Sequence, residues 1–437
     1  MEIRDPVHGS IHILDEEIPI IRADFFQRLR NIKQLGFSEF VFPGATHNRF
    51  IHSIGVMHVA DKAFDRLFKE SLADVDIQRL KETFKLACLL HDVGHAPLSH
   101  STETVMPKLS ELKIPVDFLS KKDQKSDRQA THEDYTIKSI VDSSFGSSFS
   151  LVEKTFGVGR KYIADLITGH TSDASYFTVK EINYFPILHQ LVSSELDCDR
   201  MDYLLRDSYF CGVSYGSYDL DWLLDNLEVC IENKTAYLGI NERAVVTFDD
   251  FLLSRYHMFI MVYFHYRAVC LEQLLFKFFE TSPLEYTIPA SIEEYIEHDD
   301  QFLMKVLKKS KNKYAEAIIK NHVPQKIFES FNDVQEAHLQ LVQDYLDKEK
   351  IEYIRSSSSG RLSKYYVDEE SISKYPMKVV KKLYGSDEKI YINIGEATDL
   401  FTKFAKSHAV NRLHCDVENL TPVQHKKLLE IIHSYKG

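Results

Sequence analysis

The segment Lys85–His100, KLACLLHDVGHAPLSH, runs an apolar stretch directly into three histidines and one aspartate: His91, Asp92, His95 and His100. A buried helix that delivers so many hydrogen-bonding groups constrains the rest of the chain, because buried polar groups need partners. Taken alone, HD is the ordinary polar end of a core helix. Two distant stretches change that reading. Upstream, HNRFIHSIGV opens a helical pattern with His52 just after a loop. Downstream, SSELDCDRMDYLLRDSYF spaces Asp199, Asp202, Tyr203, Arg206 and Asp207 along one face of a helix. Carboxylates on an otherwise apolar helix cost stability unless they are paired or bind something. His52, His91, Asp92 and Asp199 therefore form a candidate two-histidine, two-aspartate metal set. Such a set suits Mn, Fe, Zn or Ni, whereas Mg prefers more oxygen. His95 lies four residues after His91, on the metal side of a helix, where it could act as an acid or bind phosphate. Glu103 and His132 are further acid–base candidates.

The surrounding pattern is mainly helical. DPVHGSIHILDEE at the start mixes turn residues with a short alternating strand. Residues 20–35 have helical periodicity, as do HSIGVMHVADKAFDRLF, DIQRLKETFKLACLLHDVGH, residues 182–209 and residues 248–279. Gly94 and Pro97 are placed to end the second of these just after the histidines. The lysine-rich stretch at 104–131 reads as a surface excursion. After about residue 290 the texture changes. SSSSGR at 356–361 reads as a flexible loop, KVVKKLYGSDEKIYINIG as two strands around a turn at Gly385, and TPVQHKKLLEIIHSYKG as a closing helix. The expected organisation is a helical core over 1–285 and a smaller α+β region over 286–437, regulatory or for oligomer contacts.

Composition narrows the class. The formal net charge of −12 argues against general nucleic-acid binding, whose usual footprint is basic. It does not exclude a nucleotide held in a local basic pocket. The six cysteines are scattered with no CxxC pair, so a reducing, cytoplasmic setting is expected. No apolar leader opens the chain and no window reaches the length of a membrane span.

Five stretches in order carry a resemblance: DPVHG at 5–9, FQRLRNIKQLG at 26–36, FPGATHNRFIHSIGV at 42–56, HDVGHAPLSH at 91–100 and DRMDYLLRD at 199–207. Together they resemble the HD-domain phosphohydrolases, and within them the deoxynucleoside triphosphate triphosphohydrolase branch. The resemblance covers the first half of the chain and fades after about residue 280. It implies one divalent ion (Mn, Fe, Zn, Ni or Mg) on His52, His91, Asp92 and Asp199, with further Mg arriving with the nucleotide. Val93 follows the HD pair, without the extra acidic ligand of dinuclear relatives, and no GYP signature of the cyclic-dinucleotide branch is present. Catalytic positions match His95, Glu103 and His132. Glu103 stands where relatives often carry Asp. Arg49, His100 and Arg200 are implied at the phosphates, Gln34 and Leu35 at the sugar, and Tyr203 and Asp207 at the sugar and its 3′-hydroxyl. Arg255 and Tyr263 are implied at phosphate and base. The implied reaction cleaves at the α-phosphorus and releases a deoxynucleoside and intact triphosphate.

Some positions depart from the branch. Its dGTP activator pocket reads guanine through an acidic residue before FQRLR; Arg22 stands there, with Asp24 close by. Met1, Glu2 and Arg4 stand where a lysine and an asparagine are expected, while Gln27 and Arg30 match. Activation by dGTP, activation by another nucleotide and activity without an activator all stay open. The resemblance also implies a homo-oligomer, a dimer or a tetramer. Two other readings compete: an HD phosphatase or phosphodiesterase acting on another nucleotide, and a non-enzymatic nucleotide sensor or nucleic-acid binder. The sugar-facing match at Gln34, Tyr203 and Asp207 favours the first reading over the former, and the complete metal set favours it over the latter.

Overall fold

The computed structural model describes the chain except residues 121, 332–335, 361–376, 384, 386–387, 399, 401–407 and 435–437. The fold is mainly helical, as expected. The chain begins with a hairpin, β1 (Glu2–Asp5) and β2 (Gly9–His12). Residues 20–35 do not form the single helix their periodicity suggests. Short helices at Ile18–Arg22 and Asp24–Gln27 are separated by Ala23 in an extended conformation, and a 3₁₀ turn follows at Arg28–Asn31. The break brings the Arg28 side chain inward, where it donates to the carbonyls of Val93 (3.2 Å) and His95 (2.7 Å).

Helices α1 (Arg49–Phe68) and α2 (Val75–Leu90) pack against each other as the centre of the body. Asn48 caps α1 by accepting from the Ile51 amide, which fixes the first turn that carries Arg49 and His52. Helix α2 stops at Leu90, before the histidines rather than after them. HDVGH is a run of tight turns, with Val93 N–H donating to Leu90 and His95 N–H to Asp92. Packing forces this. A Cβ on Gly94 would lie 2.2 Å from the His132 carbonyl and 2.4 Å from the Thr136 amide. The segment is thus pressed onto α3 (His132–Val141).

Three further pairs complete the body: α4 (Arg160–Thr168) with α5 (Phe185–Val192), α6 (Cys198–Cys211) against α1, and α7 (Val245–Met258) leading through a π-turn at Phe259–Tyr263 into α8 (Tyr266–Thr281). Between α6 and α7 lies a hairpin absent from the sequence reading, β3 (Leu227–Glu232) with β4 (Thr235–Asn241). The large core continues past residue 285: Tyr286, Ile288, Tyr295, Leu303 and Leu307 are buried in it, the last two from α9 (Asp300–Lys309). Helix α10 (Lys313–Ile319) adds Ala315 and Ile318.

A second, smaller core lies under helices α11 (Glu336–Lys348) and α12 (Pro422–His433). Its sheet has the order β5 (Gln325–Phe331), β9 (His408–Cys415), β6 (Ile354–Gly360), with β9 antiparallel to both neighbours. The serine run expected as a flexible loop is strand β6. Ser356 and Ser358 are buried on one face, opposite Arg412 and Val410 of β9, so the ladder and the enclosed face override the composition. The hairpin around Gly385 is present as β7 (Lys378–Lys382) and β8 (Lys389–Asn393), and β7 joins β4 of the main body in parallel. Among the described residues no single helix is long and apolar enough to cross a membrane.

One buried cluster clamps α2 to its neighbours. Lys85 is buried with its Nζ 2.8 Å from Glu17 and 3.2 Å from Glu82. Removing one partner of such a cluster strands the others in the interior. Lys85→Ala should therefore lower the unfolding free energy by about 3–5 kcal/mol, read by denaturant titration.

Candidate active site

His52 leaves the first turn of α1, His91 and Asp92 follow the end of α2, and Asp199 leaves the first turn of α6. The fold brings these four together, with one ligand atom from each within 4.8 Å of all the others. His52 Nε2 is 3.0 Å from Asp199 Oδ1, and His91 Nε2 is 3.4 Å from Asp92 Oδ1 and 3.5 Å from Asp199 Oδ1. Donor atoms sharing one ion at about 2.1 Å stand roughly 3.0–3.5 Å apart, which is this spacing.

Proton positions test the fit independently. His91 Nδ1 is 2.8 Å from the Cys88 carbonyl, and a carbonyl only accepts, so Nδ1 carries the hydrogen. His52 Nδ1 donates in the same way to Asp202 Oδ2 at 2.8 Å. With Nδ1 occupied by a hydrogen, Nε2 is the atom each ring would offer to an ion, and both Nε2 atoms are buried without a hydrogen-bond partner. That is the outer-shell arrangement of metal-bound imidazoles. Asp202 itself is buried beneath the site and is held by Arg206 (2.8 Å) and His8 (2.6 Å); Arg206 in turn donates to Asp5 of β1 (2.7 Å). His8 had no role in the sequence reading, and Asp202 was noted only as part of a helix face. The i+3 spacing of Asp202 from Asp199 was the available signal.

The electrostatics follow. Without a cation, burial disfavours charged imidazoles, but the neighbouring aspartates outweigh it, so His52 rises to about 9 and His91 to about 10. Burial likewise opposes ionisation of Asp92 and Asp199, yet the facing histidines and, for Asp92, Arg49 hold both below the usual carboxylate range. A divalent ion would displace the protons on the two histidines.

Beside this set lies a second cluster. His95 and His132 stack at 3.8 Å, and His100 meets both edge-on. Glu103 accepts from His132 and from His100 (3.1 Å). Burial opposes the Glu103 charge, but these two contacts hold its carboxyl low. His95 is pushed well below the ordinary imidazole value by burial and by Arg49 and His132, so it is neutral in the free site. One ring nitrogen from each of His95, His100 and His132 lies within 4.8 Å of the others. His91 and His95 are brought to one site by tight turns, not by adjacent helical turns.

A cavity of about 440 Å³ opens over both clusters, within the roughly 300–1,000 Å³ range of small-molecule pockets. Gln34, Leu35, Arg49, His100, Arg200, Tyr203, Asp207 and Tyr263 all line it. Arg49 pairs with Asp92 and donates to Ser99 Oγ at 3.0 Å. Asp207 is fixed from two sides, by Tyr263 Oη and by His47 Nε2, each at 2.7 Å. His47, inside the quoted FPGATHNRF stretch, was not singled out in the sequence. Gln34 Oε1 is buried and lacks a protein donor. Glu103 does not line the cavity and meets it through His132 and His100. Arg255 is not on the cavity wall either: its guanidinium is 2.8 Å from Glu195 Oε2 behind the wall.

Residues 49–181 match the HD domain family model. The chain is 28% identical to the Bacillus subtilis protein YwfO over 417 residues, covering 91% of this chain and 79% of that one. It is 32% identical to a Mycoplasma genitalium protein, covering 67% of this chain but 61% of the relative, and thus less than two thirds of its length. It is also 29% identical to the Dictyostelium discoideum protein named deoxynucleoside triphosphate triphosphohydrolase SAMHD1 homolog, over 73% of this chain and 57% of that one. Among solved structures, a hypothetical protein from Aquifex aeolicus superposes with a TM-score of 0.72 at 25% identity, covering 98% of this chain and 99% of that one.

Two outcomes follow from the geometry. Asp202→Asn should weaken manganese binding by about 10–100-fold, measured by metal titration, because the amide no longer enforces the His52 tautomer. Manganese affinity should also rise with pH between 6 and 8, by about tenfold per pH unit for each proton displaced, since both histidines must lose a proton to bind.

Proposed function

We propose that this chain, whose residues 49–181 match the HD domain model, is a metal-dependent triphosphohydrolase converting deoxynucleoside triphosphates to deoxynucleosides and inorganic triphosphate. The observation that carries this reading is the pairing of two functions in one cavity: a four-ligand metal set, and beside it a wall of Gln34, Tyr203 and Asp207 suited to a sugar.

The reaction adds water to the α-phosphorus and breaks the bond to the 5′-oxygen, which leaves with a proton. A divalent cation on His52, His91, Asp92 and Asp199 supplies a Lewis acid for a phosphoryl oxygen. Arg49 and Arg200 line the cavity and bind the phosphates, offsetting charge that grows during transfer. His95, neutral in the free site, is the proton carrier: an entering triphosphate favours its charged form, and Nδ1, buried and without a partner, is the basic atom that takes up the proton. Glu103 orients His132 and His100 against it. His132 stacks on His95 and positions the ring. Gln34 and Leu35 line the cavity and are assigned to the 2′ edge of the sugar, where an added hydroxyl would crowd them. Tyr203 and Asp207 face the sugar and its 3′-hydroxyl, with Tyr263 against the base. Binding as a homo-oligomer, and control by a nucleotide activator, belong to the same proposal.

The test incubates purified protein with each dNTP and with GTP, with Mn or Mg, with and without dGTP, and separates products by anion exchange. Intact triphosphate from dNTPs, with little from GTP, is expected. Orthophosphate or pyrophosphate as the product would replace this reading with another HD phosphohydrolase. His91→Ala and Asp92→Ala should each lower turnover by about 100- to 1,000-fold.

A further inference from the structure

We propose that Asp300, on the far side of the cavity wall from the metal set, is a positioning residue that holds the two substrate-facing loops in register. The proposal rests on the functional reading above only for its catalytic consequence.

Asp300 is the first residue of α9. Asp299 already caps that helix by accepting from the Phe302 amide, so the Asp300 carboxylate is not needed for the helix and points into the body. It is 6% exposed. Its Oδ1 accepts from the Leu98 amide at 2.7 Å, and its Oδ2 accepts from the Lys33 amide at 3.0 Å. One carboxylate thus ties together the segment after His95 and the segment before Gln34 and Leu35.

Both tethered segments need fixing. Leu98 and Ser99 are consecutive non-glycine residues at φ 54° and 60°, a left-handed conformation that side chains disfavour and that persists where the surroundings impose it. Ser99 then donates from Oγ to the Lys33 carbonyl at 3.0 Å and accepts from Arg49 Nε. Arg49 contacts the metal ligand Asp92. On the other segment, the Gln34 amide donates to His47, which holds Asp207. The carboxylate therefore sits at the junction from which phosphate-facing and sugar-facing side chains are both oriented. The neighbouring turn strengthens the same lock: Arg28 donates to the His298 carbonyl and to the carbonyls of Val93 and His95, while Tyr295 Oη donates to Gly94. A helix beyond residue 285 thus braces two segments that carry cavity-lining residues. Asp300 touches no metal ligand and does not line the cavity.

The experiment compares the full-length protein with Asp300→Asn and Asp300→Glu. Asparagine keeps one acceptor and turns an amide donor toward a backbone donor; glutamate keeps both acceptors on a longer arm. Hydrogen exchange by mass spectrometry over residues 31–36 and 93–102, manganese content, melting temperature and dNTP kinetics would be read together. Asp300→Asn should speed exchange in both segments by about tenfold, leave manganese content unchanged and raise KM by about tenfold, with Asp300→Glu intermediate. Unchanged exchange in the two segments, or a lowered melting temperature with KM and kcat intact, would reduce Asp300 to a structural residue and overturn the proposal. If the wild-type protein hydrolyses no dNTP, the functional reading fails by itself, and the exchange measurement still decides whether Asp300 holds the loops.

Discussion

A single buried carboxylate, Asp202, organises the interior of this protein. It receives two bonds from Arg206, one from His52 and one from His8. Burial alone would push it toward its neutral form, yet Arg206, His52 and His8 hold it well below the usual carboxylate range. The consequence reaches outward in two directions. On one side it fixes the proton on His52 Nδ1 and so turns Nε2 toward the metal set. On the other it fastens the amino-terminal hairpin, because Arg206 bridges onward to Asp5. Helix α1 leaves no slack here: a Cβ on Gly55 would stand 2.0 Å from Asp202 Oδ1. Only glycine lets α1 and α6 approach closely enough for His52 to be reached.

This arrangement shows how a mainly apolar core tolerates so many charges. Lys85 with Glu17 and Glu82, Arg206 with Asp202 and Asp5, Arg255 with Glu195, and Arg28 with three carbonyls are each paired within the interior. Some buried polar atoms are left over, both at the cavity and away from it, as with Ser53 Oγ and Ser330 Oγ. His52 Nε2, His91 Nε2, His95 Nδ1 and Gln34 Oε1 are buried without partners. Buried polar atoms without partners are costly, and these four belong to residues of the metal set, the histidine cluster and the cavity wall.

The division of labour within the cavity follows from where each element ends. The metal set sits at the first turns of α1 and α6 and the end of α2, where backbone direction is fixed by caps such as Asn48 and Asp197. The proton-handling cluster takes His95 from a turn and His100 and Glu103 from a 3₁₀ segment, Ser99–Val105, with His132 at the first turn of α3. Rigid helix ends suit ligands whose spacing must match an ion. Externally braced turns suit groups that must meet a substrate from several directions.

The motif-bearing part of this architecture was legible in the amino-acid sequence. Polar residues that interrupt apolar periodicity at fixed spacing must be paired or bound, so His52, His91, Asp92 and Asp199 could be grouped before any coordinates, as could the face formed by Asp199, Asp202, Tyr203, Arg206 and Asp207. What the tertiary structure decided depends on contacts between residues far apart in the chain. Helix α2 ends at Leu90 because Gly94 is pressed onto α3, the serine run becomes a strand because β9 lies beside it, and Arg255 finds its partner in Glu195, 60 residues away. His8 and Asp300 become part of the site's support through partners 194 and 202 residues away. Local periodicity reports which side chains are buried; only the packed chain decides what each buried group meets.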